Sequence, residues 1–272
     1  MKKEYQLIAL DIDGTLLDSK KQVAPETLEA IRRAARAGKT VVYDTGRATV
    51  ELDELIALIP EIRWAIFSSG AGLYDIQENA WHRLRPIPAE QVRAVAALAA
   101  TKDLMPQIVV KDQDIIQQSH LEHLEYYNMG IYRPLYERTM TTVPDIFEVF
   151  RTREKEILKI NLYHADARER IRTREQLAPL GMETIYSEIS SVECSAAGVD
   201  KGSGLEALCR HLGIPREASV AVGDAENDLP MIRAAGLGVA MGNAIDAVRA
   251  AADVVVADAD HGGCAEAISL ML

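Results

Sequence analysis

A chain of 272 residues with 48% hydrophobic and 26% charged residues is a folded protein, neither disordered nor fibrous, with room for one large domain or two modest ones. Its formal net charge of -11 leaves no basic excess to neutralise a polyphosphate backbone, which excludes nucleic acid as an expected partner. No apolar stretch approaches membrane-spanning length, so no membrane partner is expected either.

The start, Met1 to Gln6, runs into the first strand without the apolar region and cleavage site of a signal peptide. Leu7 to Leu10 is an apolar run that stops at a carboxylate, Asp11, in the loop Asp11-Ile12-Asp13-Gly14-Thr15. That reads as a buried central strand delivering Asp11 to the rim of a sheet. Pro25 to Ala37 carries Leu28, Ile31, Ala34 and Ala35 at helical spacing, with proline at its start and Gly38 at its end. A β-branched run, Thr40 to Tyr43, stops at Asp44-Thr45-Gly46-Arg47, and a helix from Thr49 to Leu58 follows. A third strand, Trp64 to Phe67, ends at Ser68-Ser69-Gly70. Strands and helices in this alternation predict right-handed βαβ units and a parallel sheet.

Between about Arg83 and Glu188 the texture changes. Prolines 86, 88, 106, 134 and 144 interrupt it, and most tyrosines fall there. Helices at 89–100 and 165–180 bracket strand-like runs at 107–110, 115–118 and 157–163, which predicts an α+β module inserted in the first domain. The first texture then returns: a helix from Lys201 to Leu212, a strand Ser219 to Val222 stopping at Gly223-Asp224, a helix Asn227 to Ala235, short strands at 238–241 and 254–256, and a closing helix from Gly262. The expected fold class is α/β, with a Rossmann-like parallel-sheet core at 1–83 and 189–272 and the α+β insert at 84–188.

Strand ends of one parallel sheet meet on one edge, so Asp11, Asp13, Thr45, Lys201, Asp224, Asn227 and Asp228 are candidates for a single cleft. These residue types suit phosphoryl transfer. A carboxylate attacking an anionic ester needs its charge shielded, and a lysine with Mg²⁺ can do that. Mg²⁺ takes oxygen ligands and keeps several waters, so Asp11 and Asp224 suffice as its carboxylates.

The four segments Asp11-Ile12-Asp13-Gly14-Thr15, Thr45-Gly46-Arg47, Lys201-Gly202 and Gly223-Asp224-Ala225-Glu226-Asn227-Asp228 resemble, in this order, the four motifs of the haloacid dehalogenase-like phosphatase superfamily. An insert of about a hundred residues between the second and third resembles its Cof-type subgroup, which has an inserted α+β (C2-type) cap. The resemblance implies a phosphatase acting on small phosphorylated metabolites, sugar phosphates first, with flavin or pyridoxal phosphates as other candidates. It implies Asp11 as nucleophile, Asp13 as general acid and then base, Thr45 and Lys201 as phosphoryl ligands, and Gly14, Gly46 and Asn227 beside the phosphate. It further implies Mg²⁺ held by Asp11, the Asp13 carbonyl and Asp224, with Asp228 and Arg47 in support. A phosphomutase using the same aspartyl-phosphate, or an idle phosphometabolite-binding protein, are the alternative functions. The cytoplasm is the expected location, because Cys194, Cys209 and Cys264 are odd in number, far apart and suit reduced thiols; a monomer or a homodimer is expected there.

Two positions depart from the family pattern. Ser69 stands where such proteins usually have asparagine, and Asp44 where the residue is commonly small or apolar. The parity of Asp44 relative to Thr45 allows its carboxylate to point away from the phosphate. Elsewhere, His120 and His123 lack a third ligand and read as a solvated helix face. Tyr126, Tyr127, Tyr132 and Arg133 read either as a pocket lining or as packing within the insert. Lys201-Gly202-Ser203-Gly204 lacks the spacing of a nucleotide-binding phosphate loop.

Overall fold

A computed structural model of the protein describes residues 4–272; the expectation about a signal peptide falls partly on residues 1–3, outside them. In chain order the strands are β1 (Leu7–Leu10), β2 (Thr40–Asp44), β3 (Trp64–Phe67), β4 (Gly72–Asp75), β5 (Ala80–Leu84), β6 (Leu104–Val110), β7 (Gln113–Gln117), β8 (Thr141–Val143), β9 (Lys159–His164), β10 (Glu183–Ile185), β11 (Ser191–Ser195), β12 (Ser219–Gly223), β13 (Leu237–Ala240) and β14 (Val254–Val255). The chain divides into two compact units, one comprising residues up to 46, 54–83 and 200–272, the other 47–53 and 84–199.

The first unit is built on an eight-stranded sheet in the order β14-β13-β12-β1-β2-β3-β4-β5. The strands from β14 to β3 pair in parallel, and β4 runs antiparallel to β3. This is an α/β fold with a Rossmann-like parallel core. β1 is central and wholly buried, as a near-continuous apolar run should be when helices cover both faces. On one face Leu7, Ala9, Val42, Ile66 and Ala221 pack with Leu205 and Leu208 of the helix Lys201–Leu212. Because side chains alternate along a strand, the residues at strand ends inherit this sorting: those in step with Ala9 and Val42 face the helix that begins at Lys201.

The β4–β5 pair shows no periodicity in the sequence, because its strands have only four and five residues. The expected 49–58 helix is a 3-10 turn, Thr49–Glu51, followed by the helix Asp53–Leu58, and Glu51 caps its own turn by accepting from the Ala48 backbone N–H at 2.7 Å. The expected 165–180 helix is Glu169–Leu177 with a 3-10 turn, Ala178–Leu180, after it. Asp166 delays its start by accepting from the Arg168 N–H at 3.0 Å.

The second unit has a six-stranded sheet in the order β10-β11-β9-β6-β7-β8, antiparallel except for β7 and β8. Residues 189–199 lie on this unit's side, beyond the boundary at 188 expected from sequence, because β11 is hydrogen-bonded between β9 and β10. Cys194, Cys209 and Cys264 are buried and free. Among the described residues no helix is long and apolar enough to cross a membrane.

Gly202 explains the glycine-rich start of the helix Lys201–Leu212 by packing and not by phosphate binding. A Cβ there would lie 2.6 Å from the Pro230 carbonyl oxygen, so only glycine lets this helix approach the next one. Gly202→Ala is expected to destabilise the protein by about 1–3 kcal/mol through overpacking, measured by urea unfolding.

Candidate active site

Asp11 leaves β1 still held by the ladder, its N–H donating to the Val222 carbonyl at 3.0 Å. The chain then turns sharply. Leu16 N–H returns to the Asp11 carbonyl and Leu17 N–H to that of Ile12, and Gly14 adopts φ +85°, the left-handed region that glycine enters without strain. A Cβ at Gly14 would lie 2.5 Å from Asp224 Oδ2, so the turn after β1 is pressed against the end of β12. Thr15 Oγ1 donates to Asp224 Oδ1 at 3.3 Å. Thr45 is buried at the end of β2, its N–H bonded to the Ile66 carbonyl and its own carbonyl accepting from the Ser69 N–H.

Lys201 is the first residue of its helix, set there by Asp200, whose side chain accepts from the Ser203 N–H at 2.7 Å as an N-cap. Its side chain is entirely buried and its ammonium donates to Asp11 Oδ1 and to Asp228 Oδ1, both at 2.5 Å. The other Asp228 oxygen accepts from the Asp224 and Ala225 N–H groups at 2.8 and 2.9 Å. Asp228 is therefore held at both oxygens, a fixed buttress between the lysine and the loop after β12. Oxygens of Asp11, Asp224 and Asp228 lie within 4.8 Å of one another. Asn227 is buried beside them, and its Oδ1 has no hydrogen-bond partner.

Acid outnumbers base in this cluster. Burial alone would push the Lys201 ammonium down, yet Asp11, Asp228 and Asp44 outweigh it and hold its pKa above the usual lysine value. Burial, then Asp228, raises Asp11, against the opposing pull of Lys201. Asp224 is pushed up to about 7, by burial first and by Asp228 second.

Asp44 does not point away from this cluster. It is fully buried, neither carboxylate oxygen has a hydrogen-bond partner, and burial first, then Asp228 and Asp11, push it well above the carboxylate range against the pull of Lys201. Its parity with Val42, not with Thr45, decides its direction, because Thr45 already belongs to the turn. Ser68 and Ser69 follow β3 with φ of 47° and 53°, and their hydroxyls are likewise buried without partners.

Other residues singled out in the sequence fall elsewhere. Arg47 belongs to the second unit, and Gly46 ends the first segment of the first. In the second unit, Tyr127 is buried in an apolar cluster with Met105, Leu124, Met129, Tyr136 and Tyr163, with Tyr132 packed against it. Arg133 pairs with Glu125 and Glu137, and the exposed Tyr126 donates to Asp103. His120 is half-buried edge-on against Tyr127, not part of a solvated face. Two residues near the site were missed. Lys21, in a left-handed turn at φ 59°, pairs with Asp13 at 2.8 Å. Asn243, beyond the end of β13, donates to the Gly14 carbonyl at 2.9 Å and to Asp224 at 3.2 Å. Only its place after a strand end signalled the second, and nothing in the sequence signalled the first.

Residues 8–268 match the haloacid dehalogenase-like hydrolases, and the chain belongs to that family. Within it, this is an enzyme of the phosphatase class. It is 31% identical over 255 residues to the pyridoxal phosphate phosphatase YbhA of Escherichia coli, covering 93% of both chains. It is 29% identical over 281 residues to the 5-amino-6-(5-phospho-D-ribitylamino)uracil phosphatase YitU of Bacillus subtilis, covering 97% of both. Among solved structures, the subclass IIB sugar phosphatase BT4131 superposes with a TM-score of 0.83 at 26% identity, over 97% of this chain and 98% of the other.

Two outcomes follow from the electrostatics. Lys201→Met strips the buried acids of their shared cation and is expected to cost about 3–5 kcal/mol in urea unfolding. In metal-free protein Asp11, Asp44 and Asp224 bind protons more tightly folded than unfolded. The contribution of Asp224 is therefore complete below about pH 4 and is lost as pH rises through about 7, and those of Asp11 and Asp44 fall in the same direction with rising pH. Melting temperatures across that range are expected to fall with rising pH, and an added divalent cation should reduce the fall.

Proposed function

We propose that this chain hydrolyses phosphoric monoesters of small metabolites through an aspartyl-phosphate on Asp11, with Mg²⁺ as cofactor. The observation that carries the reading is the buried Lys201 ammonium, 2.5 Å from both Asp11 and Asp228 at the rim of the parallel sheet. A binding protein has no use for so costly a charge cluster, whereas a nucleophilic carboxylate needs one cation fixed beside it.

The donor set fits Mg²⁺. Asp228 is held by Lys201 and two backbone N–H groups at 2.5 to 2.9 Å, whereas the donors to Asp224 are neutral side chains at 3.2 and 3.3 Å, which favours Asp11 and Asp224 as the carboxylates to hold the ion, with the Asp13 carbonyl as the third protein oxygen. When bound, Mg²⁺ supplies positive charge against the phosphoryl oxygens. The remaining work belongs to this chain's residues. An Asp11 oxygen attacks phosphorus, the ester P–O bond breaks, and the leaving oxygen takes a proton from Asp13. Asp13 then removes a proton from water, which attacks phosphorus and returns Asp11 to its carboxylate. Lys201 and Thr45 hold the phosphoryl oxygens, the Asn227 side chain aids them, and the backbone around Gly14 and Gly46 approaches closely. Lys21 pairs with Asp13 at 2.8 Å in the free protein, a contact that the leaving oxygen of a substrate must displace to meet Asp13.

Sugar phosphates are the first proposed substrate class, supported by the likeness to a sugar phosphatase; pyridoxal and flavin phosphates are the next, supported by relatives named as phosphatases of pyridoxal phosphate and of 5-amino-6-(5-phospho-D-ribitylamino)uracil. We assign hydrolysis to the Rossmann-like core and the choice of metabolite to the inserted α+β cap, expected from sequence at 84–188 and extended to 199 by β11. Asp228 and Arg47 are the proposed supporting residues of the site. A cytoplasmic monomer or homodimer with no nucleic-acid or membrane partner completes the reading, in keeping with the net charge of -11.

The test is phosphate release from p-nitrophenyl phosphate and a panel of phosphorylated metabolites, with and without Mg²⁺. Asp11→Asn is expected to lower turnover by about a thousandfold or more, and Asp13→Asn by about a hundredfold or more. Retention of Mg²⁺-dependent turnover by Asp11→Asn would refute the covalent route. Stoichiometric conversion of a hexose 1-phosphate to its 6-phosphate without free phosphate would make the protein a mutase.

A further inference from the structure

Asp44 sits at the end of β2, two residues beyond Val42, and Asp11 follows β1 two residues beyond Ala9. Ala9 and Val42 are partners in the parallel ladder and share one apolar cluster with Leu205 and Leu208 of the helix that starts at Lys201. Residues two apart on extended chain face the same way, so both acids face that helix. The charged groups around Asp44 are Lys201 and Asp200 at the start of the helix, Asp228 in the turn after β12, and Asp11 on the neighbouring strand. Asp44 is completely buried, and neither of its oxygens accepts a hydrogen bond. A buried acid with no partner is an expensive arrangement that an apolar residue of similar size would relieve. Such a group is kept for a state of the protein in which it has a partner.

The ammonium of Lys201 carries three protons and directs two of them to Asp11 and Asp228. During turnover one of those partners changes. As an Asp11 oxygen bonds to phosphorus and the ester bond breaks, the Asp11 carboxyl passes from an anion to the uncharged acyl side of a mixed anhydride, the negative charge staying on the phosphoryl oxygens, and hydrolysis of the new P–O bond restores the carboxylate. We propose that Asp44 is a positioning residue whose carbonyl oxygen accepts a hydrogen bond from Lys201 in the phosphoenzyme, holding the ammonium at the strand ends while Asp11 lacks its charge. The inference rests on the aspartyl-phosphate reading above. It gives the orphaned acid a role in the second half-reaction, hydrolysis of the phosphoenzyme.

The experiment compares wild type, Asp44→Asn, Asp44→Leu and Asp44→Ala in p-nitrophenyl phosphate turnover with Mg²⁺, in the fraction of acid-quenched phosphoenzyme at steady state, and in thermal unfolding. Asp44→Asn keeps a carbonyl acceptor and is expected to turn over within about threefold of wild type. Asp44→Leu and Asp44→Ala are expected to turn over about tenfold or more slowly and to accumulate a larger phosphoenzyme fraction, with Asp44→Leu melting no lower than wild type. Asp44→Ser, whose hydroxyl reaches less far, stands in for any apolar variant that does not fold and carries the same expectation for turnover. Wild-type turnover and phosphoenzyme fraction in a folded apolar variant would overturn the proposal, as would an Asp44→Asn as slow as Asp44→Leu. Both leave the covalent reading standing if wild type forms phosphoenzyme. No phosphoenzyme in wild type would overturn both.

Discussion

The buried ammonium of Lys201 is the contact on which the site depends. A single cation without solvent access is tolerable only because two carboxylate oxygens meet it at 2.5 Å, and those two acids come from opposite ends of the chain, Asp11 near the start and Asp228 near the end. The fold exists to make that meeting exact enough. β1 and β12 are neighbours in the sheet, and the helix N-capped by Asp200 packs across them. Gly14 and Gly202 let the turn and the helix come close enough for the side chains to reach.

Charge balance then explains what the cluster lacks. Asp11, Asp44, Asp224 and Asp228 surround one lysine, and burial raises three of the four carboxyl groups. Such an excess of acid in low dielectric is unfavourable by itself and favourable toward a cation and a group that takes up charge. Stability has been traded for readiness, the pattern expected where a strained or frustrated group serves chemistry.

Much of this was legible in the sequence for local reasons. β1, β2 and β3 are short apolar runs with abrupt polar ends, and the helix at 201–212 has its capping residue and closing glycine in place. The residues that meet at the lysine were legible because each stands at such an end. What was hidden depends on contacts made far away in sequence. β11 reads as polar because of Glu193, whose partner is Lys159 across the sheet in β9, buried with it at 3.1 Å. The β4–β5 pair is too short to show a period. Lys21 reaches Asp13 only because the chain turns through a left-handed residue there, which no spacing announces. Parity relative to Thr45 gives no guide to the direction of Asp44, because Thr45 lies in the turn and the ladder of Ala9 with Val42 governs it.

The most direct test of the account is chemical trapping of the intermediate. Wild-type protein turning over p-nitrophenyl phosphate with Mg²⁺ is quenched with hydride, which reduces an acyl phosphate to an alcohol, and the peptides are weighed. The account predicts that the reduced residue is Asp11, in place of its carboxyl, and that Asp11→Asn yields none. Reduction at Asp13 or Asp224 instead, or full turnover with no residue reduced, would contradict it.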